Sequence, residues 1–134
     1  ASATALIRQT KKAMEEHPDS YMNKIATLDN VSGRTAFIAA KNGDAAGQAV
    51  VDKYIQYISE GLVDIINIFR PEILIIGGGI CNEGEYLLKP IREFLRKHSY
   101  GGSRHPEQKL AVAALGNDAG IIGAAFLGKK ANEK

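Results

Sequence analysis

The chain has 134 residues, of which 45% are hydrophobic and 24% charged, and a formal net charge of +2. This length favours a single domain over residues 1–134 with a substantial core, and the net charge is too small to indicate a nucleic-acid partner. One cysteine, Cys81, excludes an internal disulfide or cysteine-based zinc cluster in these residues, and no signal peptide or membrane-length apolar run occurs, so we expect a cytoplasmic protein without a membrane partner.

Helical patterns fill the first half of the chain. Ser2 is placed to cap the first helix and Ser32 the third, while Gly43 ends the third helix and Asp44 caps the fourth. Because so few residues separate the third and fourth helices, they must meet at a sharp angle. The predicted helices are residues 1–16, a short piece within residues 21–28, a helix carrying residues 36–40, and a long helix over residues 45–69.

The long helix carries one apolar stripe at a spacing of three and four residues. Towards its end, over residues 62–69, apolar side chains surround nearly the whole cylinder, which is typical of a buried helix. We therefore expect this end to be covered by a sheet on one side and by another element or subunit on the other. The stripe consists of Val51, Ile55, Ile58, Leu62, Ile65, Ile66 and Phe69.

An aliphatic run meets three glycines at the centre of the chain. Residues 73–76 (ILII) predict a short parallel strand that is buried on both faces. Gly77, Gly78 and Gly79 then allow a sharp turn at the carboxyl end of the strand, where ligands bind in open α/β sheets. Without side chains above it, such a turn lets a flat ring or a phosphate contact the backbone. A tight turn with no ligand is the alternative.

The remainder alternates helix and strand. Residues 82–84 are predicted to form a polar loop, and Pro90 divides the next helix into a short piece and a main piece. Asn117 and Asp118 are placed to cap the last helix, which Gly128 ends. Small residues in that helix suggest close packing against a neighbouring helix. The predicted elements are a helix over residues 85–98, a buried strand over residues 109–115, and a helix over residues 119–127.

Other polar residues offer weaker candidates. Lys41 ends the third helix and is interpreted as solvated, with a nucleotide contact as the alternative. The three histidines are scattered without metal-ligand spacing, and Cys81 is interpreted as a small buried residue. The cations at positions 92, 96, 97 and 104 are interpreted as a solvated helix face, because no aromatic residues interleave with them as nucleic-acid binding would need.

Four segments, taken in order, resemble the C-terminal portion of the ROK family (repressors, open reading frames and sugar kinases), most of all its bacterial glucokinases. The resemblance covers essentially the whole chain and depends on the ordered set. The segments are residues 36–44 (AFIAAKNGD), 67–72 (NIFRPE), 73–80 (ILIIGGGI) and 115–125 (LGNDAGIIGAA).

The resemblance implies the C-terminal lobe of a two-lobed, actin-like ATPase (ribonuclease H-like) fold, an α/β lobe rich in helices with a short parallel sheet. Kinase members transfer the γ-phosphoryl group of ATP, with Mg, to a hexose hydroxyl. By this resemblance Gly77, Gly78, Gly79 and Ile80 are similar to the adenosine motif.

The family's other functional motifs do not occur in this sequence. They are two phosphate loops, an aspartate general base, sugar-binding residues and a cysteine-rich zinc cluster. We therefore expect an isolated C-terminal lobe, cut from a longer protein, with no catalytic or metal-binding residues of its own and no kinase activity alone. Structural zinc is expected only in the upstream part.

Two functions remain open. The chain is either the adenosine-binding lobe of an ATP-dependent hexose kinase or the effector-binding half of a ROK transcriptional repressor. A dinucleotide-binding module is disfavoured, because the third glycine of that fingerprint is missing at the required spacing.

We also expect a homodimer formed through the long helix. Two predicted strands leave an open sheet edge, and the apolar end of the long helix needs cover. ROK kinases also associate through this lobe, so the resemblance points the same way. The candidate contacts are Ile55, Ile58, Leu62 and Ile66.

Overall fold

The computed structural model describes residues 2–102, 108–114 and 118–131. These residues follow the predicted order of helices, strand, helix, strand and helix. The elements are α1 (Ala3–Glu16), α2 (Met22–Ile25), α3 (Thr35–Lys41), α4 (Ala45–Phe69), β1 (Ile73–Ile76), a 3₁₀ helix (Gly79–Glu83), α5 (Glu85–His98), β2 (Lys109–Val112) and α6 (Ala119–Ala131).

Side-chain caps fix where the first and fourth helices begin. The Ser2 hydroxyl accepts a hydrogen bond from the Ala5 N–H at 3.1 Å, and the Asp44 carboxylate accepts one from the Gly47 N–H at 2.7 Å. Each bond satisfies a backbone donor that the first turn leaves without a partner. Both predicted caps are confirmed. The α4 helix ends at Arg70, which adopts the left-handed conformation with φ 42°.

Asp44 also fixes the approach of α2 to α4. Its carboxylate accepts hydrogen bonds from the Tyr21 N–H at 3.0 Å and the Ser20 hydroxyl at 2.8 Å. Burial acts to raise the pKa of Asp44, but the hydrogen bonds from Gly47, Tyr21 and Ser20 outweigh it and hold the pKa below 3.8. One carboxylate thus ties the connection after α1 to the start of α4.

The core lies among the helices and not at the sheet. Its centre is formed by α4, against which α1, α3 and α5 pack. The Phe37 ring meets the edges of Tyr54 and Tyr86 at centroid distances of 6.4 and 6.1 Å, a favourable aromatic geometry. The largest fully buried apolar side chains are Leu6, Met22, Phe37, Val51, Leu87 and Ile91.

The third and fourth helices pack in unusually close contact at Gly47. A Cβ atom added there would lie 2.8 Å from the Ala39 Cβ and 3.0 Å from the Ala40 backbone nitrogen. Only a residue without a side chain fits this contact, so Gly47 sets the spacing between α3 and α4. That spacing also positions Lys41, the last residue of α3.

The two strands are parallel and joined through the 3₁₀ helix and α5. Their register pairs Ile73 with Lys109 and Ile76 with Val112, and one further bond runs from the Ala113 N–H to the Ile76 carbonyl at 2.8 Å. The predicted parallel pairing is therefore confirmed. The connection through a helix is the one that parallel strands require.

The prediction that the first strand is covered on both faces is wrong for this chain. Leu74 and Ile76 pack against the core, but Ile73 is 46% exposed and Ile75 62% exposed. Successive side chains of a strand point to opposite faces, and the described residues cover only one of them.

The end of α4 shows the same one-sided cover. Ile66 is buried, whereas Ile68 is 71% exposed and Phe69 74% exposed. The expected dimer contacts at Ile55 and Ile66 are wrong, since both side chains are buried within the chain. We refer to Ile65, Ile68, Phe69, Ile73 and Ile75 together as the exposed apolar residues.

Several element boundaries differ from prediction. Helix α3 begins at Thr35 without a side-chain cap, and the Ser32 hydroxyl instead accepts the Arg34 N–H at 3.3 Å. Helix α5 is continuous through Pro90, because its buried residues on both sides of the proline enter the same core. A 3₁₀ helix replaces the expected polar loop at 82–84, and β2 ends at Val112.

The last helix continues past the predicted stop at Gly128 and ends at Ala131. Its expected close packing is wrong among the described residues, since a Cβ added at Gly120 or Gly123 would meet no atom within 4 Å. Ile121 is 74% exposed and Phe126 is 66% exposed. Among the described residues, no helix combines the length and hydropathy needed to cross a membrane.

Candidate functional site

The glycine turn follows β1 at its carboxyl end, as predicted. Gly78 has φ 88° and ψ 175°, a conformation that residues with a side chain rarely adopt. Its carbonyl accepts the Cys81 N–H at 3.1 Å, which begins the 3₁₀ helix. The backbone conformation thus requires glycine at position 78, and the turn has a defined geometry.

The surface above the turn is open as far as the described residues show. Among them, a Cβ atom added at Gly78 or Gly79 would meet nothing within 4 Å, and one added at Gly77 would touch only the Ala113 Cβ, at 3.9 Å. Ile80, in contrast, packs against the core. The backbone of the glycines is therefore exposed, while Ile80, the last residue of the turn, packs against the core. A flat ring or a phosphate has room to approach this backbone.

Cys81 anchors the turn to the strand. Its thiol donates a hydrogen bond to the Ile76 carbonyl at 3.0 Å, and the side chain is half-buried, whereas a buried residue was predicted. This bond spans the three glycines and links the last residue of β1 to the middle of the 3₁₀ helix. One side chain thus connects the segments before and after the three glycines.

A second anchor joins the 3₁₀ helix to α3. The Lys41 Nζ lies 2.5 Å from the Glu83 Oε2, and the Glu83 side chain is only 5% exposed, against 44% for Lys41. The Lys41 Nζ also lies 5.3 Å from the centre of the Tyr86 ring, within cation–π range. Lys41 is therefore exposed, as predicted, but it is also held in an ion pair that the sequence did not predict.

Glu83 is the residue that sequence reasoning missed. It stands in a polar stretch between Asn82 and Gly84, which reads as a solvated loop. Its partner is 42 positions away, so no local pattern could reveal the pair. A buried carboxylate needs a partner, and that requirement is visible only once the fold brings α3 beside the 3₁₀ helix.

Tyr86 adds a further contact beside the Lys41–Glu83 ion pair. Its hydroxyl donates to the Gln48 Oε1 at 2.8 Å, and so connects the start of α5 with the first turns of α4. We call Lys41, Gln48, Glu83 and Tyr86 the Lys41 cluster. Through it, the segment that follows the glycine turn is held by α3, α4 and α5 together.

The basic group on α5 is partly paired. Arg92 donates two hydrogen bonds to Glu85, at 2.7 and 3.2 Å, in a bidentate ion pair. The hydrogen bond from Arg92 is the main cause that lowers the pKa of Glu85, with the charges of Arg92 and Lys89 adding to it. Arg96 and Lys97 are exposed, as predicted, and position 104 lies outside the described residues.

A cavity of about 620 Å³ lies at the opposite end of the strands. Its lining includes Glu72 and Lys109, at the amino ends of β1 and β2, together with Arg70 and Arg96 at the ends of α4 and α5. Cations at helix C-termini are expected from the helix dipole alone. Ligands in such sheets bind at the carboxyl ends of strands, so the glycine turn is the better candidate site despite its openness.

No metal centre can be assembled from residues 2–102, 108–114 and 118–131, where no group of three or more histidine, cysteine, aspartate or glutamate side chains converges. His17 and His98 are exposed and far apart in the chain. Asp118 is exposed at the start of α6, while its predicted capping partner Asn117 and His105 lie outside the described residues.

Comparisons with known proteins show two kinds of relative, a kinase and a repressor. The chain is 31% identical over 134 residues to the glucokinase of Streptomyces coelicolor, covering 97% of this chain and 42% of that protein. It is 25% identical over 123 residues to the xylose repressor of Caldicellulosiruptor bescii, covering 92% of this chain and 31% of that protein.

A solved structure shows the same fold. A ROK family glucokinase from Streptomyces griseus, in complex with glucose and AMPPNP, matches with a TM-score of 0.83 and 32% identity. The match covers 95% of this chain and 42% of that chain, so this chain spans less than half the length of these glucokinases. The predicted fold class, helix-rich α/β with a short parallel sheet of the actin-like ATPase type, is confirmed.

The model of the ROK family matches residues 1–131, nearly the whole chain. Together with the glucokinases above 30% identity, that match shows that this chain belongs to the ROK family.

Proposed function

We propose that this chain is the nucleoside-binding C-terminal lobe of an ATP-dependent kinase that phosphorylates glucose or a related hexose. The observation that carries the proposal is the bare, outward-facing glycine turn at the carboxyl end of β1. The glucokinase relatives, one of them crystallised with glucose and AMPPNP, supply the reaction class.

In this proposal Gly77, Gly78, Gly79 and Ile80 form one wall of the adenosine site. Phosphoryl transfer depends mainly on positioning and on electrostatic stabilisation of the phosphates, for which Mg arrives with ATP. A nucleoside wall fixes the position of ATP but provides no base. We therefore expect the general base, the phosphate loops and any structural zinc to lie in the rest of the parent protein, which we place in the cytoplasm. The 134-residue chain alone should not phosphorylate glucose.

The nucleotide site can be tested on the chain itself. With one wall present, we expect ATP to bind with a dissociation constant on the order of 1 mM or weaker, about 4 kcal/mol. Chemical shifts in ¹⁵N-labelled protein should move at residues 77–80 on addition of ATP. If the shifts map instead to the cavity lined by Arg70 and Arg96, the proposed site is wrong.

Gly79→Ala provides a sharp variant for the same test. Gly79 lacks the positive φ of Gly78, and an added Cβ meets no atom of the described residues within 4 Å. The fold should therefore be unchanged while the methyl group stands in the ligand's path, so binding should weaken several-fold. Gly61→Ala, a substitution of the same size on open α4 surface, is the matched control and should bind like the wild type. The harsher Gly78→Val should abolish binding.

We further propose that the chain forms a homodimer through the exposed apolar residues. Ile68, Phe69 and Ile75 are each more than 60% exposed and are contributed by two adjoining elements. Large apolar side chains that remain this exposed are typical of surfaces that associate. Sedimentation equilibrium at micromolar concentration should show a dimer, and Phe69→Glu should give a monomer. A monodisperse wild-type monomer would contradict the proposal.

The effector-binding half of a repressor is the second candidate function, and the likeness to a xylose repressor favours it. A coupled assay on the full-length parent with glucose and Mg·ATP separates the two. Turnover supports the kinase. No turnover, combined with operator binding that a sugar relieves, would replace the kinase by the repressor, in which this lobe would hold part of the effector site.

A further inference from the structure

The Glu83 carboxylate raises a problem for an adenosine site. It is 5% exposed and ends the 3₁₀ helix that begins at Gly79, so a negative charge is buried next to the proposed ligand surface. ATP brings several negative charges to the same region. An unpaired carboxylate there would be unfavourable to bury and would repel the phosphates of ATP.

The Lys41 ammonium offsets both the burial of the Glu83 carboxylate and its repulsion of the phosphates. It contacts Glu83 at 2.5 Å and lies over the Tyr86 ring, while Tyr86 is itself fixed by its bond to Gln48. Lys41 is held by the spacing of α3 and α4, which Gly47 sets. Each partner of the cluster is thus placed by a different helix, and the pair can hold the 3₁₀ helix in one position.

We propose that the Lys41–Glu83 ion pair is a positioning device for the nucleotide site. It fixes the 3₁₀ helix, and through it the glycine turn, and it cancels the Glu83 charge that would otherwise repel the phosphates of ATP. Neither residue is assigned a contact with the ligand. The inference rests on the proposed function, since it concerns the same turn.

Two effects follow, and two ligands separate them. Loss of position weakens the binding of adenosine and ATP alike, whereas loss of charge cancellation weakens only ATP. Lys41→Met leaves the buried Glu83 without a partner and combines both effects. Glu83→Gln leaves a neutral amide beside Lys41 and should be mild.

Binding is measured by NMR titration of adenosine and of ATP into the 134-residue chain and its variants. We expect Lys41→Met to weaken ATP roughly tenfold and adenosine roughly threefold. Glu83→Gln should cost no more than about twofold for either ligand. The double variant Lys41→Met/Glu83→Gln, a neutral pair of similar size, should recover ATP binding to within about threefold of the wild type.

Lys12→Met is the matched control, because it makes the same substitution in the exposed Lys12–Glu16 ion pair of α1, which lies outside the Lys41 cluster. It should bind both ligands like the wild type. The core resonances of α1 report whether each variant is folded, and a Lys41→Met variant that unfolds is replaced by the comparison of Glu83→Gln with the double variant.

The outcomes are distinct for the two proposals. If the wild type shows no shifts at residues 77–80 with either ligand, the proposed function fails. If the wild type binds there but Lys41→Met, although folded, binds adenosine like the wild type, the proposed function stands and the positioning inference is overturned. If Lys41→Met loses adenosine and ATP equally, or the folded double variant recovers no ATP binding, the charge cancellation is overturned.

Discussion

The contact at Gly47 predicts that alanine lowers the stability of the protein at this position, the reverse of its usual effect in a helix. Alanine normally stabilises a helix relative to glycine, by up to about 1 kcal/mol. At Gly47, however, the new methyl would lie 2.8 Å from the Ala39 Cβ and 3.0 Å from the Ala40 nitrogen. Carbon atoms pack at about 3.5–4.0 Å, so α3 would have to move by roughly 0.7 Å or more.

Backbone on both sides of the contact makes that movement costly. Overpacking of this kind costs about 1–3 kcal/mol, and the gain in helix propensity offsets up to about 1 kcal/mol of it. We expect Gly47→Ala to lower the free energy of unfolding by about 1–2 kcal/mol. For a domain of this size the melting temperature should fall by roughly 3–8 °C.

Gly61→Ala is the control within the same helix. An added Cβ at Gly61 meets nothing within 4 Å, so only the propensity term applies, and the variant should be more stable by about 0.5–1 kcal/mol. Urea and thermal unfolding followed by circular dichroism measure both. If Gly47→Ala were as stable as Gly61→Ala, α3 and α4 could not be packed as closely as described, and the placement of Lys41 would lose its basis.

Three further predictions concern titrating groups. Asp44→Ala should lower the unfolding free energy by about 1–2 kcal/mol at pH 7. Because the pKa of Asp44 is lowered on folding, this contribution is present above pH 3.8 and disappears as the pH falls through the folded pKa. Urea unfolding of both proteins between pH 7 and 2 would show the loss. Arg92→Met should raise the pKa of Glu85 towards its usual 4.5, measured by NMR titration, and an unchanged value would contradict the ion pair. Burial raises the pKa of Tyr54 above 10.0, so its stabilising contribution is present below that pH and lost as the pH rises through the folded pKa; a Tyr54→Phe variant should lose this dependence.

Local signals predicted the parts of the fold that local chemistry determines. Asp44 before an apolar periodic run predicted the start of α4, and its carboxylate caps that helix at 2.7 Å. Three glycines after an aliphatic run predicted the turn, and Gly78 has the positive φ that such a turn requires. In both cases the cause lies within a few residues, so the sequence alone was sufficient.

Contacts between distant segments could not be predicted in this way. Pro90 predicted a division of α5, but the apolar residues on either side share one core, and their packing keeps the helix continuous. The Lys41–Glu83 pair joins positions 42 residues apart, and nothing around Glu83 indicates burial. Such features depend on which elements meet, and a single sequence does not contain that information in local form.

The apolar pattern of β1 led to a different kind of error. Aliphatic residues on both faces of the strand indicate that cover is needed, and the prediction assumed that this chain provides it. Ile73, 46% exposed, and Ile75, 62% exposed, show that the described residues do not. Hydrophobic periodicity reports what a surface requires, whereas the identity of the covering partner has to come from the structure.

The glycine turn does not depend on that missing cover. Its anchors are the Cys81 thiol on the Ile76 carbonyl and the Lys41–Glu83 pair, and both lie within this chain. Ile80 packs against the helical core and not against the uncovered face of β1. A site whose supports are all internal should keep its geometry in the 134-residue chain. Binding measured on the 134-residue chain therefore reports on the turn itself, and weak affinity there would reflect absent ligand contacts and not a distorted site.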